Sequence, residues 1–192
     1  MAEKEFLYSS DYQITTQDVL DEISLAFSIS GCPLHCKGCH SAFTWNETFG
    51  QELTNDLFRK ILAENKYASC VLFYGGEWRL KRLLELIGIA KSNGKKVCLY
   101  TGLMLEEVKA SKSELFNVLD YIKVGRWIEE KGGLNKKTTN QRFYRILNLN
   151  LCNNDKDRRD NLNEIEKNNK YNMINIDDNI ILFDWTKRFF QS

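Results

Sequence analysis

Three cysteines lie within eight residues of this chain, and their spacing is C-x3-C-x2-C: Cys32, Cys36 and Cys39. They come directly after the apolar run Leu25-Ala26-Phe27-Ser28-Ile29, so a predicted buried strand delivers the loop that carries them. Three thiolates in one loop suit a cubane [4Fe–4S] cluster, and with no fourth cysteine nearby one iron would stay open. An open metal position is typical of a site that performs chemistry.

A structural zinc site is the alternative interpretation of the same loop. Zinc needs four ligands, and the only nearby candidates besides the cysteines are His35 and His40. His40 directly follows Cys39, which is an awkward spacing for two ligands of one ion, and the chain has no second C-x2-C pair. The ligand count therefore favours a cluster over zinc.

The loop resembles the signature of the radical S-adenosylmethionine (SAM) enzymes. In that family the three cysteines hold a [4Fe–4S] cluster, and the fourth iron chelates the amino and carboxylate groups of SAM. The pattern Ser-Gly-Cys-x3-Cys-x-Gly-Cys-His, followed by Thr44-Trp45, is most similar to the activating proteins of anaerobic ribonucleoside-triphosphate reductase. Pyruvate formate-lyase activating enzymes share much of this pattern and remain close alternatives.

Length and composition favour an ordinary globular protein. We predict one domain over residues 1–192, with a core at about 25–147 and a polar, asparagine-rich extension at 148–192 that packs back at its end. A net charge of +1 gives no sign of nucleic acid or an anionic membrane as partner. The chain has no membrane-length apolar run and no signal-peptide pattern, so we predict a cytoplasmic protein.

The three remaining cysteines are scattered. Cys70 and Cys98 lie in apolar, strand-like runs and are predicted to be small buried hydrophobic residues, whereas Cys152 lies in a polar stretch. Without a secretion signal a disulfide framework is not expected. Their spacing also resembles no loop that would hold a second cluster.

Buried strands alternate with amphipathic helices through the middle of the chain. Strands are predicted at 25–30, 70–74, 97–100 and 121–124, and a short one at 12–15. Helices are predicted after the N-cap Thr54, from Leu80 to the stop at Asn93-Gly94, and over about 104–118. The alternation predicts an α/β fold with a parallel sheet. The family resemblance implies an open partial (β/α) barrel, here with an irregular C-terminal extension that includes a polar helix near 157–169.

Candidate functional residues follow the carboxyl ends of these strands. Besides the cysteine loop they are Gly75-Gly76-Glu77, Thr101-Gly102 and Gly125-Arg126. In parallel α/β folds such strand ends meet on one face, where ligands bind.

Gly75-Gly76-Glu77 matches the glycine-rich turn that radical SAM enzymes place against the methionine part of SAM. Two glycines let the backbone approach a ligand, and a carboxylate can pair with its ammonium group. Trp78 stands where the family often has proline. The resemblance assigns the cofactor-binding role to these residues: Gly38, Cys39, His40, Gly75, Gly76, Glu77 and Thr101.

Two of these assignments are less specific than the others. Thr101-Gly102 is equally compatible with an ordinary βα turn. Many family members have an aromatic residue near the adenine at the position of Gly38, where only backbone contact is possible here.

The stretch 126–145 is locally basic and contains Thr139-Asn140-Gln141-Arg142, which resembles a late segment of the reductase activators. A solvated face, a docking surface for a partner and a clamp on the SAM carboxylate are all compatible with this stretch.

The resemblance implies an activase without catalytic residues beyond the cofactor ligands. A one-electron donor such as a flavodoxin or ferredoxin would reduce the cluster, and SAM would break into methionine and a 5′-deoxyadenosyl radical. That radical would remove a hydrogen atom from a glycine of the large subunit of anaerobic ribonucleotide reductase. A pyruvate formate-lyase type activase, a small-molecule radical SAM enzyme such as a deazaguanine synthase, and a zinc or electron-transfer module are the alternatives.

Overall fold

A computed structural model describes residues 6–9, 11–151, 160, 163 and 172–190 of the chain. Its strands, in chain order, are β1 (Leu7–Tyr8), β2 (Gln13–Thr15), β3 (Ser24–Ser28), β4 (Gln51–Glu52), β5 (Cys70–Tyr74), β6 (Lys96–Tyr100), β7 (Tyr121–Val124), β8 (Arg142–Asn148), β9 (Met173–Asn175) and β10 (Ile180–Asp184). The α-helices that lie wholly within these residues are α1 (Asn55–Glu64), α2 (Leu80–Ser92) and α3 (Leu105–Ser111).

One eight-stranded sheet of mixed direction forms the centre of the molecule. Its strand order is β2-β3-β5-β6-β7-β8-β10-β9, and β1 pairs with β4 in a separate two-stranded sheet. The four central strands β3, β5, β6 and β7 are parallel, and the strands on both sides of them are antiparallel. Within the described residues no pairing joins the edge strands β2 and β9.

The parallel strands are apolar on both faces because both faces are covered. On the outer face, Phe27, Phe73 and Leu99 pack in one core cluster with α1 and α2. The inner face carries a second cluster, which residues of the C-terminal segment complete: Ala26, Leu72, Cys98, Tyr121, Phe143, Trp185 and Phe189.

The predicted elements of the central region are confirmed. The four buried strands are β3, β5, β6 and β7, and the short strand near residue 14 is β2. Thr54 caps α1 by accepting a hydrogen bond from the Leu57 N–H at 3.2 Å, and α2 ends just before Asn93-Gly94. The segment predicted as helix over 104–118 is interrupted at Lys112, and a 3₁₀ turn at Ser113–Asn117 follows α3.

The C-terminal extension is more regular than we predicted. Strand β8 was missed because the basic stretch obscured its alternation, and β10 pairs with it along five residues, from Ile180–Asn148 to Asp184–Tyr144. Ile180, Leu182 and Trp185 are buried and belong to the core clusters on the two faces of the sheet. The polar helix predicted near 157–169 lies outside the described residues, apart from Asp160 and Asn163.

Two further predictions concern burial and membrane insertion. Cys70 and Cys98 are fully buried, as predicted, and Cys152 lies outside the described residues. Of the helices in the described ranges, none has the length and apolar character that a bilayer crossing requires.

Candidate cluster and cofactor site

The cysteine loop begins where β3 ends and is held by backbone hydrogen bonds. The Thr44 carbonyl accepts from the N–H groups of Gly31 and Cys32, at 2.6 and 3.1 Å. The Cys39 N–H donates to the Cys36 carbonyl at 3.1 Å. All three cysteines are free and partly exposed. The loop therefore presents three thiols at the surface of the sheet's carboxyl end.

Both histidines of the loop are in contact with tryptophan rings. His35 stacks on Trp45 with ring centroids 4.9 Å apart, and His40 lies 4.3 Å from the Trp127 ring centroid. Among the described residues, no three His, Cys, Asp or Glu side chains are grouped so that they could hold one metal ion.

The Gly75-Gly76 turn needs its glycines for reasons internal to the protein. Both residues have positive φ, +82° and +108°, a region that side chains disfavour. A Cβ on Gly75 would lie 2.3 Å from the Trp78 ring, and one on Gly76 would lie 3.0 Å from Phe6. The turn is thus closed by Trp78 on one side and by the core on the other.

Trp78 ties this turn to the cysteine loop. Its Nε1–H donates to the Ser30 carbonyl at 3.2 Å, and a Cβ on Gly31 would meet the same nitrogen at 3.3 Å. Directly after Glu77 this chain thus has a side chain that positions the two candidate loops against each other.

Glu77 is buried with half of its carboxylate unpaired. Oε1 accepts a hydrogen bond from the Thr101 hydroxyl at 2.5 Å, whereas Oε2 has no partner in the described part of the chain. Burial raises the pKa of Glu77, although the bond from Thr101 acts in the opposite direction. The Thr101 hydroxyl also accepts from the Leu103 N–H at 3.0 Å, so Thr101 orients Glu77 within the turn.

Lys123 is a charged residue on the inner face that the sequence analysis missed. It shares this face of β7 with Tyr121, and its Nζ lies 5.3 Å from the centroid of the Tyr100 ring. Burial lowers the pKa of Lys123 to about 8, against the influence of Cys36 and Cys39. A lysine at an inward position of a buried strand is the signal that could have identified it.

The predicted residues at the ends of β3, β5 and β6 come together. Burial raises the pKa of the Cys32 thiol, and the nearby charges of Glu77, Cys36 and Cys39 raise it further. Leu34 of the cysteine loop lies against Gly102, since a Cβ there would meet Leu34 Cδ1 at 2.4 Å. The structure therefore assembles the thiols, the glycine-rich turn and the Thr101 turn at one place.

The basic stretch is only partly solvated. Arg126 forms a two-pronged ion pair with Glu107 at 2.7 and 2.9 Å, which lowers the pKa of Glu107 to about 2. Thr139 and Gln141 are buried, while Lys131 and other lysines of the stretch are exposed. The Thr-Asn-Gln segment is therefore internal to the fold.

The sequence comparisons match the same part of the chain. Residues 23–147 match the profile of a family described as a 4Fe-4S single cluster domain. An anaerobic ribonucleoside-triphosphate reductase-activating protein of Vibrio cholerae is 29% identical over 113 residues, which cover 54% of this chain and 73% of the relative. The protein of the same description from Salmonella typhi is 25% identical over 112 residues, covering 53% and 73%.

A second kind of relative matches a shorter stretch. The pyruvate formate-lyase-activating enzyme of Clostridium pasteurianum is 37% identical over 71 residues, which cover 33% of this chain and 30% of that enzyme. No solved structure is significantly similar to this chain. The family profile spans well over half of the sequence and includes all three clustered cysteines, and this chain therefore belongs to the 4Fe-4S single cluster domain family.

Proposed function

We propose that this protein is a radical SAM activase that generates a glycyl radical on an anaerobic ribonucleoside-triphosphate reductase. The observation that carries the proposal is the buried Oε2 of Glu77, which has no partner among the residues that the structure describes. It lies next to a turn of two glycines, and the charge of Glu77 influences the Cys32 thiol. A carboxylate buried in this way needs a cationic or hydrogen-bonding partner, and the ammonium group of SAM provides one.

The residues present fit both cofactors. Cys32, Cys36 and Cys39 would hold the [4Fe–4S] cluster as thiolates. Glu77 would pair with the ammonium group of SAM, and Lys123 offers its charge to an anionic group from the inner face. When bound, the two cofactors supply a one-electron reductive cleavage of the sulfonium and, through it, hydrogen-atom abstraction from a glycine of the partner.

The protein's own contribution is positioning and exclusion of water. Trp78 fixes the glycine-rich turn against the cysteine loop, and Thr101 fixes the Glu77 carboxylate. The backbone at Gly38, Cys39 and His40 would line the remaining side of SAM. We take the mixed sheet to be the open partial barrel of the radical SAM type, with one domain over residues 1–192. Its open edge would leave room for a peptide loop of the partner.

The electron donor would be a small one-electron carrier such as a flavodoxin or ferredoxin, and the cell compartment would be the cytoplasm. The partner would be the large subunit of the reductase, since two of the relatives described above carry that reductase in their names. The pyruvate formate-lyase type remains the second candidate, because that relative matches the chain at higher identity over a shorter stretch.

The first test is the metal. Reconstituted without oxygen, the wild-type protein should hold one [4Fe–4S] cluster, and Cys32→Ala, Cys36→Ala and Cys39→Ala should each abolish it. Cys98→Ala is the matched control and should keep full iron content, because burial raises the pKa of that thiol well above its ordinary value and keeps it from acting as a ligand. Stoichiometric zinc without iron uptake would refute the proposal.

The second test is the radical. Reduced protein with SAM should form 5′-deoxyadenosine, faster with its partner, and the partner should then show the doublet electron-spin resonance of a glycine radical. Purified ribonucleotide reductase and pyruvate formate-lyase, offered separately, distinguish the two activase candidates. If SAM is cleaved while neither protein acquires a radical, the small-molecule alternative replaces the activase.

A further inference from the structure

The segment between β7 and β8, residues 125–141, lies across the cysteine loop, and we call it the strap. A parallel connection at this place would need a crossover, but the strap contains no α-helix and returns directly into the antiparallel strand β8. It begins beside Leu103, whose carbonyl accepts from the Gly125 N–H at 2.8 Å. The strap therefore starts on the same edge of the sheet as the candidate site.

The strap is held in shape by its own polar residues. The Asn140 amide donates to the Arg126 carbonyl at 3.0 Å, and the Thr139 hydroxyl donates to the Gly132 carbonyl at 3.1 Å. The Thr138 hydroxyl donates to the Lys131 carbonyl at 2.8 Å. These bonds join the end of the strap to its beginning and its middle, so the strap is a compact loop whose backbone is fixed.

Two strap residues contact the second half of the cysteine loop. The Trp127 ring lies against His40, as described above, and the Glu129 carboxylate lies over Gly38. A Cβ on Gly38 would be only 2.9 Å from Glu129 Oε2. The glycine between the last two cysteines thus leaves the room that the Glu129 carboxylate occupies.

These two residues bring unused hydrogen-bonding capacity to the site. Nε1 of Trp127 is buried, and no partner for it exists among the described residues. Glu129 is exposed, so one or both of its carboxylate oxygens can accept a bond from a ligand. The indole N–H can donate to an acceptor of a flat heterocycle, and the carboxylate can accept from an amino group on it. The Trp127 and His40 rings provide the apolar surface beside these two groups.

The strap lies on the side of the site where the nucleoside end of SAM would be. Glu77 follows β5 and the strap follows β7, with β6 between them, so the two are separated by two strand spacings, about 10 Å. A ligand whose amino-acid end lies at Glu77 and whose sulfonium lies at the cluster must extend its nucleoside end away from Glu77. The strap lies on that side.

We propose that Trp127 and Glu129 bind the adenosine part of SAM. The Glu129 carboxylate accepts a hydrogen bond from the exocyclic amino group of adenine, and Trp127 provides apolar surface and the indole N–H. The strap thereby supplies the side-chain contacts that Gly38 cannot make. This inference rests on the proposed function, because it requires that SAM binds at the cluster.

The experiment compares ligands that contain or lack the nucleoside. Dissociation constants of SAM and of methionine are measured by equilibrium dialysis on cluster-reconstituted protein, with iron content as a check. Glu129→Gln should weaken SAM binding about 10-fold, the loss expected for a hydrogen bond to a charged group, and leave methionine binding unchanged. Trp127→Phe, which keeps an aromatic ring and removes the N–H, should weaken SAM binding about 5-fold with methionine again unaffected.

Glu130→Gln is the matched control, since it makes the same change one residue further along the strap and should alter neither dissociation constant.

The inosine analogue of SAM has a carbonyl in place of the amino group, so it tests the direction of the hydrogen bond between Glu129 and the base. Wild-type protein should bind it less tightly than SAM, and Glu129→Gln should weaken or remove that preference, because an amide can accept from the amino group or donate to the carbonyl.

Three results would overturn the inference. Equal loss of SAM and methionine binding, or loss of iron in Glu129→Gln, would mean that Glu129 only supports the cysteine loop. An unchanged preference between SAM and its inosine analogue would mean that Glu129 does not read the base. If wild-type protein with a full cluster binds neither SAM nor methionine, the proposed function itself fails, which is a different result from a failure of the variants alone.

Discussion

Two buried glutamates lie at opposite ends of the parallel strands and have opposite surroundings. Glu22, at the amino ends, accepts hydrogen bonds from Lys96 and Ser69 at 2.5 and 2.6 Å and from the Tyr121 hydroxyl at 2.8 Å. Glu77, at the carboxyl ends, accepts a hydrogen bond from one side chain among the described residues, that of Thr101. One carboxylate is therefore saturated, whereas the other has an oxygen left for a ligand.

The pKa values of the two glutamates shift in opposite directions. Burial alone would raise the pKa of Glu22, but its three donors outweigh burial and lower it below the ordinary value. For Glu77 burial prevails, and the pKa is raised. Ionisation of Glu22 therefore stabilises the fold, whereas ionisation of Glu77 destabilises it.

We predict opposite pH profiles for the two glutamine variants of the cluster-free protein. Glu77→Gln should unfold at a higher temperature than wild type at pH 7.5. Because the folded pKa of Glu77 is raised, wild type loses stability as the pH rises from about 4.5 through that folded value. The advantage of the variant should therefore disappear below about pH 4.5.

Glu22→Gln is the matched variant and should unfold at a lower temperature than wild type at pH 7.5. The folded pKa of Glu22 is lowered, so its contribution is present above about pH 4.5 and is lost as the pH falls through the folded value. Thermal melts across pH 4–8 measure both profiles. A destabilised Glu77→Gln at neutral pH would show that this carboxylate is satisfied without a ligand.

At the scale of elements, the strap explains why β8 runs antiparallel to β7. Residues 125–141 form a closed loop instead of a crossover helix, and Thr139 and Gln141 are buried where that loop returns to its start. The Thr139 hydroxyl both donates to Gly132 and accepts from the Gln141 N–H at 3.1 Å. One hydroxyl thus connects the middle of the strap with its end.

Thr139→Val keeps the shape of the side chain and removes both of these bonds, so it should lower the free energy of unfolding by about 1–2 kcal/mol. Amide hydrogen exchange should quicken within the strap and stay unchanged in β5 and β6, because those strands make no contact through this hydroxyl. Thr138→Val, at an exposed neighbouring hydroxyl, serves as control and should have the smaller effect. Uniformly faster exchange throughout the sheet would contradict a local role for Thr139.

At the scale of the whole molecule, the C-terminal segment completes the inner face. Phe189 packs on Phe143 with ring centroids 5.0 Å apart, and the Thr186 hydroxyl accepts from the Phe143 N–H at 2.9 Å. Arg188 pairs with Asp21 at 2.7 Å and so joins the end of the chain to the segment before β3. The region matched by the family profile stops at residue 147 and lacks this cover.

We predict that residues 1–147 alone do not fold. The truncation removes five large buried apolar side chains. Phe183, Trp185 and Phe189 belong to the inner-face cluster, and Ile180 and Leu182 belong to the outer-face cluster. Together the five contribute roughly 10 kcal/mol at about 2 kcal/mol each. That is comparable with the whole stability of a domain. Circular dichroism and thermal melts test the fragment, and cooperative unfolding near the wild-type temperature would show that the extension is dispensable.

Leu182→Ala in the full chain is the graded comparison. It leaves a cavity in the outer-face cluster without removing the segment, so it should cost about 3 kcal/mol while the protein still unfolds cooperatively.

Short-range patterns in the sequence were sufficient for the strands of the central region, and they also singled out the candidate cluster loop. Apolar runs and turn residues define β3, β5, β6 and β7, and spacing within one loop is a local property that marks Cys32, Cys36 and Cys39 as candidate ligands. The sequence could not locate β8, because its charged residues gain their partners only from distant segments, such as Asp184 for Arg142. Nor could it select Lys123, Trp127 or Glu129, since their relevance depends on which strand ends become neighbours. In the described part of the chain one Glu77 oxygen is hydrogen-bonded and the other has no partner. The tertiary structure alone decided this, because Thr101 follows the next strand and comes within hydrogen-bonding distance only when the sheet has formed.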